Sequence, residues 1–306
     1  MDVYAPNYYK DFKCIAQDCK HSCCIGWDIY VDEATLEKYK RLDTELGAEL
    51  MRSITRDGDG AYIERRADGG CPMLTENGLC RLIIDEGEDH LCDICRLHPR
   101  FFNEIGERAE VGIGISCEAA CRLVLLGREP MQLVKIGEKN GSARFEFDAL
   151  ADRDRALAII SRTDIDYYTK LAYIKEQYDV STDFYTVTEW IDLFSELEIL
   201  DEKWRELLTE AQNCKKPRVL EAEKPILERF LEYAVFRHVS AASNTEQLRA
   251  RVGFALVSAE MFEIICSGQP SLSIDDMLDI ARMYSSEIEY SEDNTATLIF
   301  EFECHI

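Results

Sequence analysis

The sequence shows little that is typical of a secretory or membrane-spanning segment. Residues 1–10 (MDVYAPNYYK) have neither a basic start nor an apolar run, so secretion is not expected. The longest apolar stretch, Val252 to Cys266, is interrupted by Glu260 and Glu263 and is too short to span a bilayer. These two absences predict a cytoplasmic protein with no membrane segment.

Positive charge is also scarce. The chain has 35 basic and 59 acidic residues, which gives a formal net charge of −24. An acidic surface without a basic stripe repels nucleic acid and anionic membranes, so neither is an expected partner. A lysine-bearing protein would be attracted to it, although the same charge would also simply keep a protein in solution.

The sequence contains no G-x-G-x-x-G that opens a helix after a strand, so the doubly wound nucleotide-binding fold is not indicated. The segment Gly112-Ile113-Gly114 is too short to count as that motif. We also find no internal repeat and no low-complexity segment. With 306 residues, 46% of them hydrophobic, the chain can bury one large core or two modest ones.

Cysteine, by contrast, is abundant and concentrated early in the chain. Ten of the thirteen lie at Cys14, Cys19, Cys23, Cys24, Cys71, Cys80, Cys92, Cys95, Cys117 and Cys121. A reducing cytoplasm disfavours disulfides, so metal binding is preferred over a disulfide framework. Thiolates are soft donors, and they select iron–sulfur clusters, zinc or copper(I) over magnesium, calcium or manganese.

The cysteine spacing leaves the type and number of metal sites open. Only Cys92 and Cys95 have the knuckle spacing of a zinc ribbon, and four thiolates satisfy either a zinc ion or a [4Fe–4S] cluster. The adjacent Cys23 and Cys24 cannot both point at one small ion without strain. Ten cysteines therefore indicate either two sites or some structural thiols. The nearby histidines His21, His90 and His98 are further candidate ligands.

The composition predicts a mainly α protein in two parts. Residues 1–125 form a cysteine-rich metal-binding domain with short β-strands, and this domain packs on an all-helical domain at 126–306. The isolated Cys214, Cys266 and Cys304 fall in helical or terminal segments, where we expect buried cysteines that behave as small hydrophobes.

Local patterns place several elements. Asp32 is a plausible N-cap of a helix, and residues 62–66 and 79–84 resemble short strands. Two apolar stripes at helical spacing predict core-facing helices, one over 190–197 and one over 226–234 after Pro225.

The cysteine segments together resemble the flagellin lysine-N-methylase family, part of a wider group of cysteine-rich zinc- or iron-chelating proteins. The matching segments are Phe12-Lys13-Cys14, Cys23-Cys24-Ile25-Gly26-Trp27, Gly70-Cys71-Pro72-Met73-Leu74, Gly78-Leu79-Cys80, Leu91-Cys92-Asp93-Ile94-Cys95 and Ser116-Cys117-Glu118-Ala119-Ala120. Weaker similarity continues at 230–237 and 286–289, so the resemblance covers nearly the whole chain.

The resemblance implies transfer of methyl groups from S-adenosylmethionine to surface lysines of flagellin, in a protein that carries a [4Fe–4S] cluster. Carried over residue by residue, the family's cysteines fall on Cys14, Cys19, Cys23, Cys24, Cys71, Cys80, Cys92, Cys95 and Cys117. The chain departs from the family pattern at two positions, one of which concerns the substrate pocket and the other the number of metal ligands. His98 stands where an aromatic residue is expected, and Cys121 is additional.

Candidate residues for the reaction lie beside the cysteines. Trp27 and Arg100 are candidates for holding the cofactor, although a role as a core anchor is the favoured interpretation of Trp27. The attacking lysine must be neutral, so a proton acceptor is needed, and Tyr30, Asp28 and Glu118 are candidates. Two alternatives stay open: a non-catalytic zinc- or iron-chelating structural module, and an electron-transfer protein.

Overall fold

The computed structural model describes residues 1–140, 147–212 and 223–306, and the predicted core residue Cys214 lies outside these ranges. Helices make up 54% of the structure and strands 12%, which confirms the mainly α prediction. None of the described helices is both long and apolar enough to cross a membrane.

The described α-helices, in chain order, are α1 Glu33–Tyr39, α2 Glu45–Arg52, α3 Arg81–Glu86, α4 Asp93–Leu97, α5 Glu118–Leu125, α6 Leu150–Ile160, α7 Tyr167–Tyr178, α8 Val187–Glu196, α9 Glu202–Ala211, α10 Lys224–His238, α11 Thr245–Gly268, α12 Ile274–Tyr284 and α13 Glu292–His305. A π-helix, Ser285–Glu289, connects α12 to α13. Such π turns are rare and recur at functional sites.

The described strands are β1 Asp2–Pro6, β2 Ile29–Val31, β3 Ile54–Arg56, β4 Ala61–Ile63, β5 Arg100–Ile105, β6 Arg108–Ile113 and β7 Leu133–Glu138. They form a four-stranded sheet in the order β5-β6-β1-β7 and an antiparallel three-stranded sheet in the order β2-β4-β3. In the larger sheet β1 is parallel to β6 and antiparallel to β7. Neither sheet is a doubly wound parallel sheet.

The chain divides into two compact units. The helical unit contains 1–12, 102–116 and 120–306, and the cysteine unit contains 13–101 and 117–119. These bounds differ from the predicted division at 125/126, because β1, β6 and most of β5 share a sheet with β7. The prediction that the C-terminal part is all-helical is also wrong, because this part contains β7, which pairs with β1 through backbone hydrogen bonds.

The two apolar stripes are confirmed as helices. In α8, Trp190 and Phe194 are buried, and α10 starts with Pro225 in its first turn and buries the apolar residues of its stripe. The strand predicted at 79–84 is wrong, because this segment forms α3. A short apolar run fits either element, and here only Leu82 is buried while Ile84 faces solvent.

A buried polar network ties the end of α10 to the π-helix within the helical unit. The Glu289 carboxylate accepts a hydrogen bond from the Tyr233 hydroxyl at 2.9 Å and one from His238 Nε2 at 2.6 Å. Ser285 also donates to it, and the Arg237 guanidinium lies 3.6 Å away. Although burial works against ionisation, Arg237 and these hydrogen bonds lower the pKa of Glu289 to about 2. Burial lowers the pKa of His238, which therefore donates as a neutral ring.

This network makes the stability of the protein sensitive to acid. The folded pKa of Glu289 lies below its ordinary value of 4.5, so its contribution is complete above pH 4.5 and is lost as the pH falls towards 2. We expect the free energy of unfolding to fall by about 2 kcal/mol between pH 7 and pH 3 through this group alone. Urea unfolding of the wild type and of Glu289→Gln at both pH values isolates the effect, because glutamine does not titrate. An equal pH dependence in both proteins would contradict this assignment.

Candidate metal centre

The small sheet provides the frame of the cysteine unit. Along β2 the side chains alternate, so that Ile29 and Val31 are buried while Tyr30 between them faces the other way. Leu36 and Tyr39 of α1 pack into the same core, and Tyr39 is only 1% exposed. This core is the surface against which the cysteines gather.

Asp32 connects the start of α1 to the segment that carries Cys92 and Cys95. One carboxylate oxygen accepts the Thr35 N–H at 2.8 Å, which confirms the predicted N-cap, and the other accepts the Asp93 N–H at 3.0 Å. Although partial burial opposes it, these backbone hydrogen bonds lower the pKa of Asp32. One side chain thus holds the N-terminal ends of α1 and α4 together.

Replacing Asp32 by alanine should therefore cost more than the loss of an ordinary helix cap. We expect the free energy of unfolding to fall by about 1–2 kcal/mol, because two helix ends lose their acceptor. The exposed Asp43 provides a matched control, and Asp43→Ala should change stability by less than about 0.5 kcal/mol. Equal urea midpoints for the two variants would show that the link between α1 and α4 carries no stability.

Five thiols belong to the hydrophobic core of the cysteine unit. Cys71 and Cys92 are buried members, with 7% and 1% of their surface exposed, and Cys24, Cys80 and Cys95 are partly buried and pack against the core. The Cys71 N–H donates to the Cys24 carbonyl at 2.8 Å, which brings two distant segments side by side. The Cys24 thiol interacts electrostatically with those of Cys71, Cys80 and Cys95. We call these five the core thiols.

Four further thiols of the unit lie outside this core. Cys14 and Cys23 are exposed, and Cys19 and Cys117 are partly buried. The thiols of Cys19 and Cys23 both interact electrostatically with those of Cys14 and Cys117. We call these four the outer thiols.

Hydrogen bonds between neighbouring thiols separate their pKa values. The bond between Cys23 and Cys24 raises the pKa of Cys23 and lowers that of Cys24 to about 7. The bond between Cys92 and Cys95 likewise lowers the pKa of Cys92 and raises that of Cys95. Cys24 and Cys92 are therefore the members of each pair that ionise first, and the thiolate is the form that binds metals.

The donor set fits a soft metal in type and number, although the thiols do not converge on one point. None of the twelve cysteines among the described residues forms a disulfide. Within 1–140, 147–212 and 223–306, no group of three or more His, Cys, Asp or Glu side chains is arranged to hold a metal ion. To bind one, the thiols would need to turn about their Cα–Cβ bonds, which side chains do between staggered rotamers.

The three candidate proton acceptors have different surroundings. Asp28 pairs with Arg65 at 2.9 Å. Tyr30 donates its hydroxyl proton to Asp57 at 2.7 Å, and this hydrogen bond raises the pKa of Tyr30 to about 12. Glu118 accepts the backbone N–H of residue 20 at 2.8 Å, and its carboxylate lies 3.8 Å from the Cys19 thiol. Of the three candidates, only Glu118 contacts a thiol in a hydrogen bond.

Trp27 lies beside the thiols, and its indole N–H donates to the Cys23 carbonyl. Its ring centre is 5.9 Å from that of His98, so His98 occupies an aromatic position although it is not the residue expected there. Burial, followed by the charge of Arg100, lowers the pKa of His98 to about 4, which keeps the ring neutral at physiological pH. The Arg100 guanidinium donates to the Arg96 carbonyl at 3.4 Å.

Three cysteines outside the cysteine unit have other surroundings. Cys121 is buried in the helical unit and donates to the Leu278 carbonyl at 3.3 Å, and Cys266 is also buried. Cys304 is exposed, so the prediction of a buried thiol is wrong there, because the last helix turns this face to solvent.

Sequence reasoning missed Tyr39 as a neighbour of the core thiols. Burial, and then the charges of Cys92 and Cys95, raise the pKa of this tyrosine. The available signal was its position three residues after Leu36, on the buried face of α1.

Comparisons with known proteins bear on this site. No protein-family model and no solved structure matches the chain. Three curated relatives do. The flagellar biosynthetic protein FliU of Salmonella muenchen is 26% identical over 150 residues, which is 47% of this chain and 87% of the relative. The lysine-N-methylases of Salmonella choleraesuis (strain SC-B67) and Salmonella typhimurium (strain LT2) are each 27% identical over 144 residues, or 44% of this chain.

The resemblance to lysine-N-methylases is confirmed. The match covers 35% of each of those two proteins, so this chain spans about a third of their length. It covers most of the flagellar biosynthetic relative.

Proposed function

We propose that this chain transfers methyl groups from S-adenosylmethionine to the side-chain amines of surface lysines on flagellin, in the cytoplasm, with a [4Fe–4S] cluster held by thiols of the cysteine unit. The observation that carries the proposal is the similarity to two proteins named lysine-N-methylase and to one named as flagellar. The gathering of nine cysteines in one unit, none of them in a disulfide, supports the cluster.

The reaction is a direct displacement. The neutral lysine nitrogen attacks the methyl carbon, the new N–C bond forms as the S–C bond breaks, and S-adenosylhomocysteine leaves with the electron pair of that bond. The methylated nitrogen then gives up a proton to a base. When bound, the cluster would supply iron able to ligate the amino and carboxylate groups of the cofactor. The protein must position the lysine and hold it neutral.

Glu118 is the base that the geometry favours. The carboxylate of Asp28 is engaged by Arg65, and the hydroxyl of Tyr30 holds its proton too tightly to leave a phenolate at neutral pH. Glu118 instead contacts Cys19, one of the outer thiols, and is kept in place by a backbone N–H. A carboxylate in this position would accept the proton released from the methylated amine.

The charge of the protein suits a lysine-bearing substrate. With 59 acidic and 35 basic residues, the surface attracts positively charged side chains and speeds their encounter at low ionic strength. This long-range attraction predicts that methyl transfer slows as salt is added.

The proposal is tested by incubating anaerobically purified protein with methyl-labelled S-adenosylmethionine and the flagellin of the same organism. We expect label on flagellin lysines, located by peptide mass spectrometry. Flagellin with its lysines acetylated is the matched control and should take up no label, because an amide nitrogen is not nucleophilic. Metal-loaded protein that leaves unmodified flagellin unlabelled would refute the catalytic claim.

A further inference from the structure

The nine thiols of the cysteine unit are not equivalent, and the chain itself divides them. The core thiols pack with the apolar side chains that hold the unit together. The segment from Gly70 to Cys80 is joined to Ile25 by a backbone pairing at Gly70 and is closed on itself by a pairing of Leu74 with Cys80. The Arg81 N–H then donates to the Met73 carbonyl at 2.8 Å. These contacts fix the segment that carries Cys71 and Cys80. Cys71 and Cys92 are buried, and Cys24, Cys80 and Cys95 are partly buried.

The outer thiols are held by a different set of contacts. The Ala16 N–H donates to the Cys14 sulfur at 3.4 Å, in a short turn that also carries Cys19. Glu118 bridges the Cys19 thiol and the N–H of Lys20, which joins this turn to the segment that carries Cys117. None of the outer thiols belongs to the apolar core that contains the core thiols, and Cys14 and Cys23 are exposed.

The border between the two sets is the peptide between Cys23 and Cys24. Cys24 packs on the apolar core, whereas Cys23 is exposed and interacts with Cys14 and Cys117. The two residues lie at the centre of a turn that is closed by a hydrogen bond from the Ile25 N–H to the Ser22 carbonyl. Their thiols are hydrogen-bonded to each other, so the two sets meet at this pair.

We propose that this division is functional: the core thiols hold one metal centre, closed and structural, and the outer thiols hold a second centre, open to solvent. Each set contains at least four thiols, which is the number that a tetrahedral zinc or a [4Fe–4S] cluster requires. The inference builds on the metal binding in the proposed function and adds that the outer centre is the one a small molecule with an amino and a carboxylate group can reach. The core centre supports the fold.

Metal content and stability of the purified protein test the division without reference to activity. The outer variant is Cys19→Ala with Cys117→Ala, the core variant is Cys71→Ala with Cys80→Ala, and the control is Cys304→Ala, an exposed cysteine outside the cysteine unit. Iron, zinc and sulfide are measured per chain, together with the thermal unfolding midpoint. The outer variant should lose one centre and keep its midpoint within about 2 °C, and the core variant should lose the other centre and unfold about 10 °C lower or more.

A chelator experiment on the wild type keeps the proposal testable if the core variant does not fold. A water-soluble chelator should remove metal in two phases, the fast one from the solvent-facing centre. A single phase, or an outer variant that loses all metal or none, overturns the division. Wild-type protein without metal overturns the division together with the cluster, whereas failed methyl transfer with both centres filled refutes only the proposed function.

Discussion

Replacing Glu289 by alanine is expected to lower the free energy of unfolding by about 3–5 kcal/mol. The carboxylate accepts hydrogen bonds from Tyr233, His238 and Ser285 and balances the charge of Arg237. All of these groups are buried or nearly so, and removal of the acceptor leaves a guanidinium without its counter-charge away from water. A loss of this size is a large share of the stability of a typical domain.

Urea unfolding followed by circular dichroism measures this effect. The matched control is Glu206→Ala on the exposed side of α9, which should change stability by less than about 0.5 kcal/mol. A further comparison separates charge from hydrogen bonding, because Glu289→Gln keeps an acceptor but not the charge that faces Arg237. If Glu289→Ala costs less than about 1 kcal/mol, the network is not what holds α10 to the π-helix.

Replacing Glu118 by glutamine is expected to slow methyl transfer by about 100-fold or more. Glutamine has the same shape and can still accept the backbone N–H that Glu118 accepts at 2.8 Å, so the segment around Cys19 should stay in place. What it loses is the ability to take a proton at neutral pH. The change should therefore appear in kcat, with little change in KM for the protein substrate.

The control for this experiment is Glu76→Gln, an exposed carboxylate in the same unit. Metal content and unfolding midpoint are measured for both variants, so that a loss of activity is not mistaken for a loss of the metal. If Glu118→Gln has full metal content and an unchanged kcat, Glu118 is not the base. Asp28 would then be the next candidate.

Much of the fold could be predicted from periodicity and caps. Residues close together in the chain determine these features, so local sequence predicts them. They include the stripe that contains Trp190 and Phe194, the start of α10 at Pro225 and the cap at Asp32. The sheet that joins β1, β6 and β7 could not be found in this way, because its partners are more than a hundred residues apart. Long-range pairing of this kind leaves little trace in local sequence.

The candidate site was likewise predictable only where local sequence determines it. Spacing indicated a soft-metal donor set and suggested that Cys23 and Cys24 serve different roles. It could not show which thiols are buried, because that depends on the core that Leu36, Tyr39 and the small sheet build around Cys71 and Cys92. The roles of Asp28 and Tyr30 were equally out of reach, since their partners lie 37 and 27 residues away.

Anaerobic metal and sulfide analysis, combined with absorption spectroscopy, shows whether the thiols hold an iron–sulfur cluster. We expect iron and acid-labile sulfide bound to the protein, a broad visible absorption from thiolate-ligated iron, and loss of that signal when outer thiols are replaced. A colourless protein with zinc alone would contradict the proposed cluster and favour a purely structural role for the thiols. A protein that binds no metal at all would show that the thiols form no metal centre.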